Sequence, residues 1–309
     1  MVLRRLLCGA AAAFLIPATA YAHAGGDEGG GFALNDALMA GAILGFLGWF
    51  ALGWARLPRR QRGGRSVAVW RALLFLGALL LLAIVLLPPF DGLADEHFSA
   101  HMAQHLVLLV VAPPMLAASQ AELVLLQALP LALRRRTGRA IAGIPGARFV
   151  SHHASAVWFV CLSSVAVLWF WHIPRAYDWA RAHEAAHDLE HVLFLATETS
   201  FWRVILTSGT RRLSRPGAAA ILALMGMQGG LLAAIITLAS TPLYRSYGTD
   251  SAAVADQALG GVMMWVLAGI VYLGAFALMF GLGLARQRPR RRSEAASHLV
   301  ELRSLRTEP

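Results

Sequence analysis

Charge and cysteine are scarce in this sequence. Only 14% of its 309 residues are charged while 58% are hydrophobic, and the mean hydropathy is +0.59. That balance excludes an ordinary soluble globular domain and leaves a polytopic membrane protein. The two cysteines are Cys8 and Cys161. Cys8 lies in a segment that reads as a cleavable leader, so Cys161 is expected to stand alone in the mature chain, which excludes an internal disulfide framework or a paired-thiolate site. Acidic residues are outnumbered, 17 against 27 basic, for a formal charge of +10. The arginines fall in short clusters between apolar runs, where the positive-inside rule accounts for them, so no nucleic-acid partner is expected.

The leader is Arg4-Arg5, an apolar stretch from Leu6 to Ile16, and Ala20-Tyr21-Ala22, with small residues where a signal peptidase reads. Residues 1–22 are therefore expected to be a signal peptide, with His23 as the new terminus. Residues 23–285 form the transmembrane domain, and 286–309 a basic cytoplasmic tail too polar to fold alone.

Apolar runs of spanning length, about 20 residues, recur at 33–55, 68–87, 99–119, 155–173, 186–207, 217–240 and 257–283. The expected fold is all-α, a seven-helix transmembrane bundle. Arginine clusters follow the first, third, fifth and seventh runs (Arg56 to Arg65, Arg134 to Arg139, Arg211 to Arg215, Arg286 to Arg292). All fall on one face, which puts the N-terminus outside and the C-terminus inside. Pro113-Pro114 interrupts the third run, where two lost donors predict a kink, and the stretch from Glu122 to Arg136 is expected along the inner interface.

What the sequence does have is histidine, 11 in all. His97, His101 and His105 form one ladder and His183, His187 and His191 another, at a constant offset of 86 residues. Four residues turn a helix by about 400°, so each ladder keeps close to one face. The topology puts both ladders at the outer ends of their helices, with His172 and Asp256 on the same side. The offset also maps Pro88 onto Pro174, which suggests two copies of one helical hairpin.

Ionisable groups in membrane helices are costly enough to be read as functional. Neutral imidazole is a ligand for copper, zinc or iron; the thioethers of Met263 and Met264, at about the same depth, would favour Cu(I), but ordinary lipid or core packing is the better reading of a methionine. His183-Glu184-Ala-Ala-His187 matches the zinc-protease pattern, but no third ligand stands at a protease spacing. Other readings are interhelical hydrogen bonding, a membrane b-type haemoprotein with one histidine from each helix, and a copper or zinc transporter. A transporter needs polar groups continuing inward. Glu198, Thr197, Thr199 and Gln228 are those present, and Glu198 is expected to bond Trp202 or nearby backbone.

His101-Met-Ala-Gln-His105 running into Ala112-Pro113-Pro114, Trp171-His172-Ile173-Pro174 with Tyr177-Asp178, His187-Asp-Leu-Glu-His191, and Asp256-Gln257-Ala-Leu-Gly260-Gly261 with Trp265 together resemble the CtaG family of bacterial cytochrome c oxidase assembly proteins. The resemblance runs from about the second helix to the seventh. It implies a multi-pass protein of the bacterial plasma (inner) membrane that is not an enzyme. It would serve respiratory-chain biogenesis by supplying copper to a haem-copper oxidase. The implied partners are cytochrome c oxidase subunits, periplasmic copper carriers and the lipid bilayer. The motif positions that imply metal binding are His101, His105, His172, His187, His191 and Asp256, while His97, His183 and Glu184 fall outside the motifs.

Overall fold

The computed structural model describes residues 31–57, 69–143, 155–209 and 213–285. The leader, His23, His152, His153, Arg59 to Arg65, Arg211 and Arg212, and the basic tail lie outside them. Every long element among the described residues is a helix: α1 (Gly31–Arg56), α2 (Val69–Leu86), α3 (Phe90–Glu96), α4 (Phe98–Ser119), α5 (Glu122–Ala128), α6 (Leu131–Gly143), α7 (Ser155–Trp171), α8 (Pro174–Ala182), α9 (Glu184–Leu206), α10 (Arg215–Leu238) and α11 (Ser251–Ala285).

Five of these, α1 from Ala37, α2, α4, α10 and α11, are long and apolar enough to cross a membrane. A sixth is obtained when α7 is taken with α8, from which it bends by 74°. The seventh expected span, α9, has the length, but Glu184, Asp188, Glu190, Glu198 and Arg203 make it too polar for the same test. Those charges sit on the helix that carries His187 and His191.

Local chemistry sets the helix ends. Ser214 caps α10 by accepting the Gly217 N–H at 3.1 Å, with Pro216 in the first turn, and Asp250 caps α11 by accepting the Ala253 N–H at 2.9 Å. Gln120, in the left-handed region at φ 51°, ends α4. The expected kink at Pro113-Pro114 takes the form of a wide π turn over Val107–Val111, in which the Ala112 N–H bonds the Val107 carbonyl. The prolines then occupy the first turn of the continuing helix, where their missing N–H groups cost least.

Helix α4 is the axis of the fold. Its N-terminal half packs on α11 and its C-terminal half on both α2 and α9. Two apolar clusters flank it. One gathers Phe98, Met102, Leu106, Phe194 and Tyr177, and the other, towards the arginine-rich end, gathers Phe201, Trp202, Ile205, Leu222 and Met279. Close approach of α11 depends on two glycines: a Cβ on Gly260 would lie 2.7 Å from the Phe98 ring, and one on Gly261 would lie 2.8 Å from the Thr237 amide nitrogen of α10.

The hairpin repeat is visible in the backbone. In each copy a span ends, a short helix follows (α3 or α8), and one extended residue starts the ladder helix. That residue is His97 (φ −127°, ψ 126°) in the first copy and His183 (φ −136°, ψ 104°) in the second.

Candidate metal centre

The four-residue spacing puts His101 and His105 on one face of α4, and His187 and His191 on one face of α9. Packing turns the two faces towards each other. Ring centroids lie 4.2 Å apart within each pair, 5.1 Å between His101 and His187, and 5.4 Å between His105 and His191. One potential ligand atom from each of the four lies within 4.8 Å of the others. His101, His105 and His191 are buried and His187 half-buried.

These imidazoles have little else to bind. Both ring nitrogens of His101 and of His105, and Nε2 of His187 and His191, are buried with no hydrogen-bond partner among the described residues. A buried polar atom without a partner is costly, and convergent imidazole nitrogens of this kind are chemically suited to sharing one ligand. Interhelical hydrogen bonding, the structural alternative, would have paired them. Four rings packed this closely suit one ion, whereas a haem would need a slot for its macrocycle between two axial ligands.

His172 adjoins the cluster. Its Nδ1 donates to the Leu168 carbonyl at 2.8 Å, which leaves the Nε2 lone pair buried and unpaired, with the ring centroid 6.2 Å from that of His105. Asp256 stands elsewhere: both carboxylate oxygens lie 3.3 Å from the Ser99 N–H, so it caps the first turn of α4. His97 and His183 are exposed, and His183 Nδ1 donates to the Trp179 carbonyl at 2.9 Å. The protease pair His183 and His187 is therefore split, with only His187 in the cluster. Met263 and Met264 join the apolar core, where Met264 is buried.

Several contributors were not read as site residues from sequence. Tyr177 packs on His101 at 5.5 Å, and its hydroxyl meets that of Tyr247 at 3.5 Å. Tyr247 donates to the Ala94 carbonyl at 3.0 Å and lies under the Arg181 guanidinium, which bonds Asp95 Oδ1 at 2.5 Å. Burial pushes the Tyr247 hydroxyl up to about 12, so it stays a neutral donor at physiological pH. Together these groups roof one side of the cluster. The α10–α11 connection that carries Tyr244 and Tyr247 has no metal-binding signature, and only its aromatic content hinted at a role.

Glu198, seven residues below His191, accepts from the Ser164 hydroxyl and from the Tyr272 hydroxyl at 3.4 Å. The expected bond to Trp202 does not form, and the Trp202 Nε1 has no partner among the described residues. Between this group and the histidines lies Phe194, fully buried, with its ring 5.0 Å from His105 and 6.1 Å from His172. The polar trail that a transporter needs is broken there.

A family described as "Cytochrome c oxidase caa3 assembly factor" matches residues 48–284, a stretch that includes every histidine of the cluster. Two curated relatives, both described as uncharacterized, come from Mycobacterium bovis and Mycobacterium tuberculosis. Each is 29% identical over 249 residues, which is 74% of this chain and 35% of the relative. The chain thus spans about a third of the length of the curated relatives it matches. No solved structure matches it.

Proposed function

The chain belongs to the cytochrome c oxidase caa3 assembly factor family, and from that premise we propose that it holds copper in the histidine cluster for delivery to the oxidase. The observation that carries this reading is the convergence of His101, His105, His187 and His191 ligand atoms within 4.8 Å, where both ring nitrogens of His101 and His105 and Nε2 of His187 and His191 are buried with no hydrogen-bond partner among the described residues. Neutral imidazoles suit copper, zinc or iron. Copper is chosen because the family's product is a cytochrome c oxidase, whose centres need it.

Each residue then has a role. The four histidines hold the ion, and His172, whose buried Nε2 has no hydrogen-bond partner among the described residues, is the group to which it passes or which completes the site. Glu190 orients His105. Asp256 fixes the start of α4, and so the height of His101, without touching the metal. Release requires an open side, and half-buried His187 provides it. In this reading all seven long helices cross the plasma membrane, the N-terminus is outside, and the cluster faces the periplasm, where carriers and the oxidase subunit exchange copper. The protein performs no catalysis.

The test is metal content with an optical spectrum on detergent-purified protein loaded with Cu(I) under reducing conditions. The native chain should bind about one copper with no Soret band, and a His101→Ala/His187→Ala variant should lose it. Equal copper in both would overturn the reading.

A further inference from the structure

Below the histidines a cavity of about 610 Å³ opens between α10 and α11, with α4 behind it. Leu109, Leu222, Met225 and Met264 form its apolar wall, and Glu198 and Tyr272 supply its polar groups. Its outer rim carries Met227, Leu231, Trp265 and Leu273, large apolar side chains that are all exposed. These are membrane-spanning segments, so the opening faces lipid. The space exists because glycines line it: a Cβ on Gly229 or Gly269 would meet nothing within 4 Å.

Glu198 is 3% exposed, and its two donors among the described residues are the uncharged hydroxyls of Ser164 and Tyr272. A carboxylate has about four acceptor positions, so acceptor capacity remains towards the cavity that Glu198 lines. Glu198 lies 14 residues into α9, about 21 Å along its axis. A ligand head reaching that depth must be small and uncharged, since a charged one would add the cost of burying an ion in the bilayer. It must also donate a hydrogen bond to be worth desolvating there.

We propose that this cleft is a lipid-phase binding site for the single chain of a long aliphatic alcohol, which enters between α10 and α11 and donates its hydroxyl to Glu198. The site is separate from the histidine cluster and does not depend on the metal reading, because Phe194 stands between the two.

The experiment is native mass spectrometry of the full chain in detergent, titrated with hexadecanol, hexadecyl methyl ether and hexadecylammonium. Hexadecanol should bind one to one, with the ether, which has lost the donor, about tenfold weaker. A Gly229→Phe variant, whose side chain fills empty space, should lose hexadecanol while keeping its helical circular dichroism. No hexadecanol binding, equal binding of the ether, or tighter binding of the ammonium would each overturn the proposal. The ether comparison uses the native chain and so decides even if the variant fails to fold.

Discussion

Glu190 Oε1 stands 3.7 Å from His105 Nε2, both side chains buried and neither atom hydrogen-bonded among the described residues. A carboxylate beside a ligand imidazole fixes its orientation and raises its basicity, and losing such a partner costs about 10–100-fold in metal affinity. Glu190→Gln should therefore lower Cu(I) affinity by about tenfold or more in competition with a chelator, with helical content unchanged. Unaltered affinity alongside a shifted melting temperature would reduce Glu190 to a packing role.

Asp256 offers a sharper discrimination, because a cap and a ligand respond differently to the same change. Asn keeps an oxygen that can accept from the Ser99 N–H, whereas Ala removes the cap at a cost of about 1 kcal/mol. Asp256→Asn should leave both copper binding and stability close to native. Asp256→Ala should lower the melting temperature and retain copper. X-ray absorption of the loaded protein should report nitrogen neighbours alike in all three, and loss of an oxygen neighbour in either variant would make Asp256 a ligand.

The histidine cluster was legible in the sequence because a four-residue period on a helix is a statement about direction: His101 and His105 can only share a face. What the sequence hid was which end of each ladder faces inward. His97 and His183 have the right period, but each is the extended residue that starts its helix, and a residue at that point does not follow the helical rotation. The bond from Asp256 to the Ser99 N–H was hidden for a related reason. The carboxylate stands at the right height, but the backbone N–H groups at the head of α4 compete for it. The roof could not be read at all, since Arg181 meets Asp95 and Tyr247 only through tertiary packing across three segments.

The glycine pair at 260–261 makes a prediction about fold and site together. A Cβ on Gly261 would stand 2.8 Å from the Thr237 amide nitrogen, which is backbone and cannot step aside, as well as 2.4 Å from Thr237 Oγ1. Gly261→Ala should cost about 1–3 kcal/mol, the range for overpacking, read as a fall in melting temperature. Because α11 backs the N-terminal half of α4, which carries His101 and His105, copper affinity should fall with it. Gly45→Ala on α1, where a Cβ meets nothing within 4 Å, should leave both unchanged.

At the opposite end, Glu122 and Arg203 form a buried ion pair, 5% and 4% exposed, that ties α5 to α9. Removing one partner takes this counter-ion from the other buried charge, a change that typically costs about 3–5 kcal/mol, whereas replacing both with apolar residues of similar size is often close to neutral. Arg203→Met should thus destabilise far more than Glu122→Leu/Arg203→Met, as measured by chemical or thermal denaturation in one detergent. Copper binding should survive in the double variant, because the pair lies on the far side of Phe201 and Phe194 from the histidines. If the double variant is the weaker of the two, the pair does more than satisfy itself.

Arg181 closes the other side of the cluster. It holds Asp95 through Oδ1 at 2.5 Å and through the carbonyl at 3.0 Å, and it covers the Tyr247 ring at 5.2 Å. Asp95 is about half exposed, and pairs of that kind contribute only about 0–1 kcal/mol, so the contact is a weak fastening over a site that must let its cargo go. Arg181→Met keeps the length and apolar stem of the side chain while removing both bonds. It should leave the melting temperature nearly unchanged and speed Cu(I) transfer to an external chelator by up to about fivefold, the factor corresponding to about 1 kcal/mol. Equilibrium affinity should move less than the rate, since no ligand is lost. A slower transfer, or an affinity that falls as much as the rate rises, would mean that the roof shapes the site itself and that copper leaves by another side.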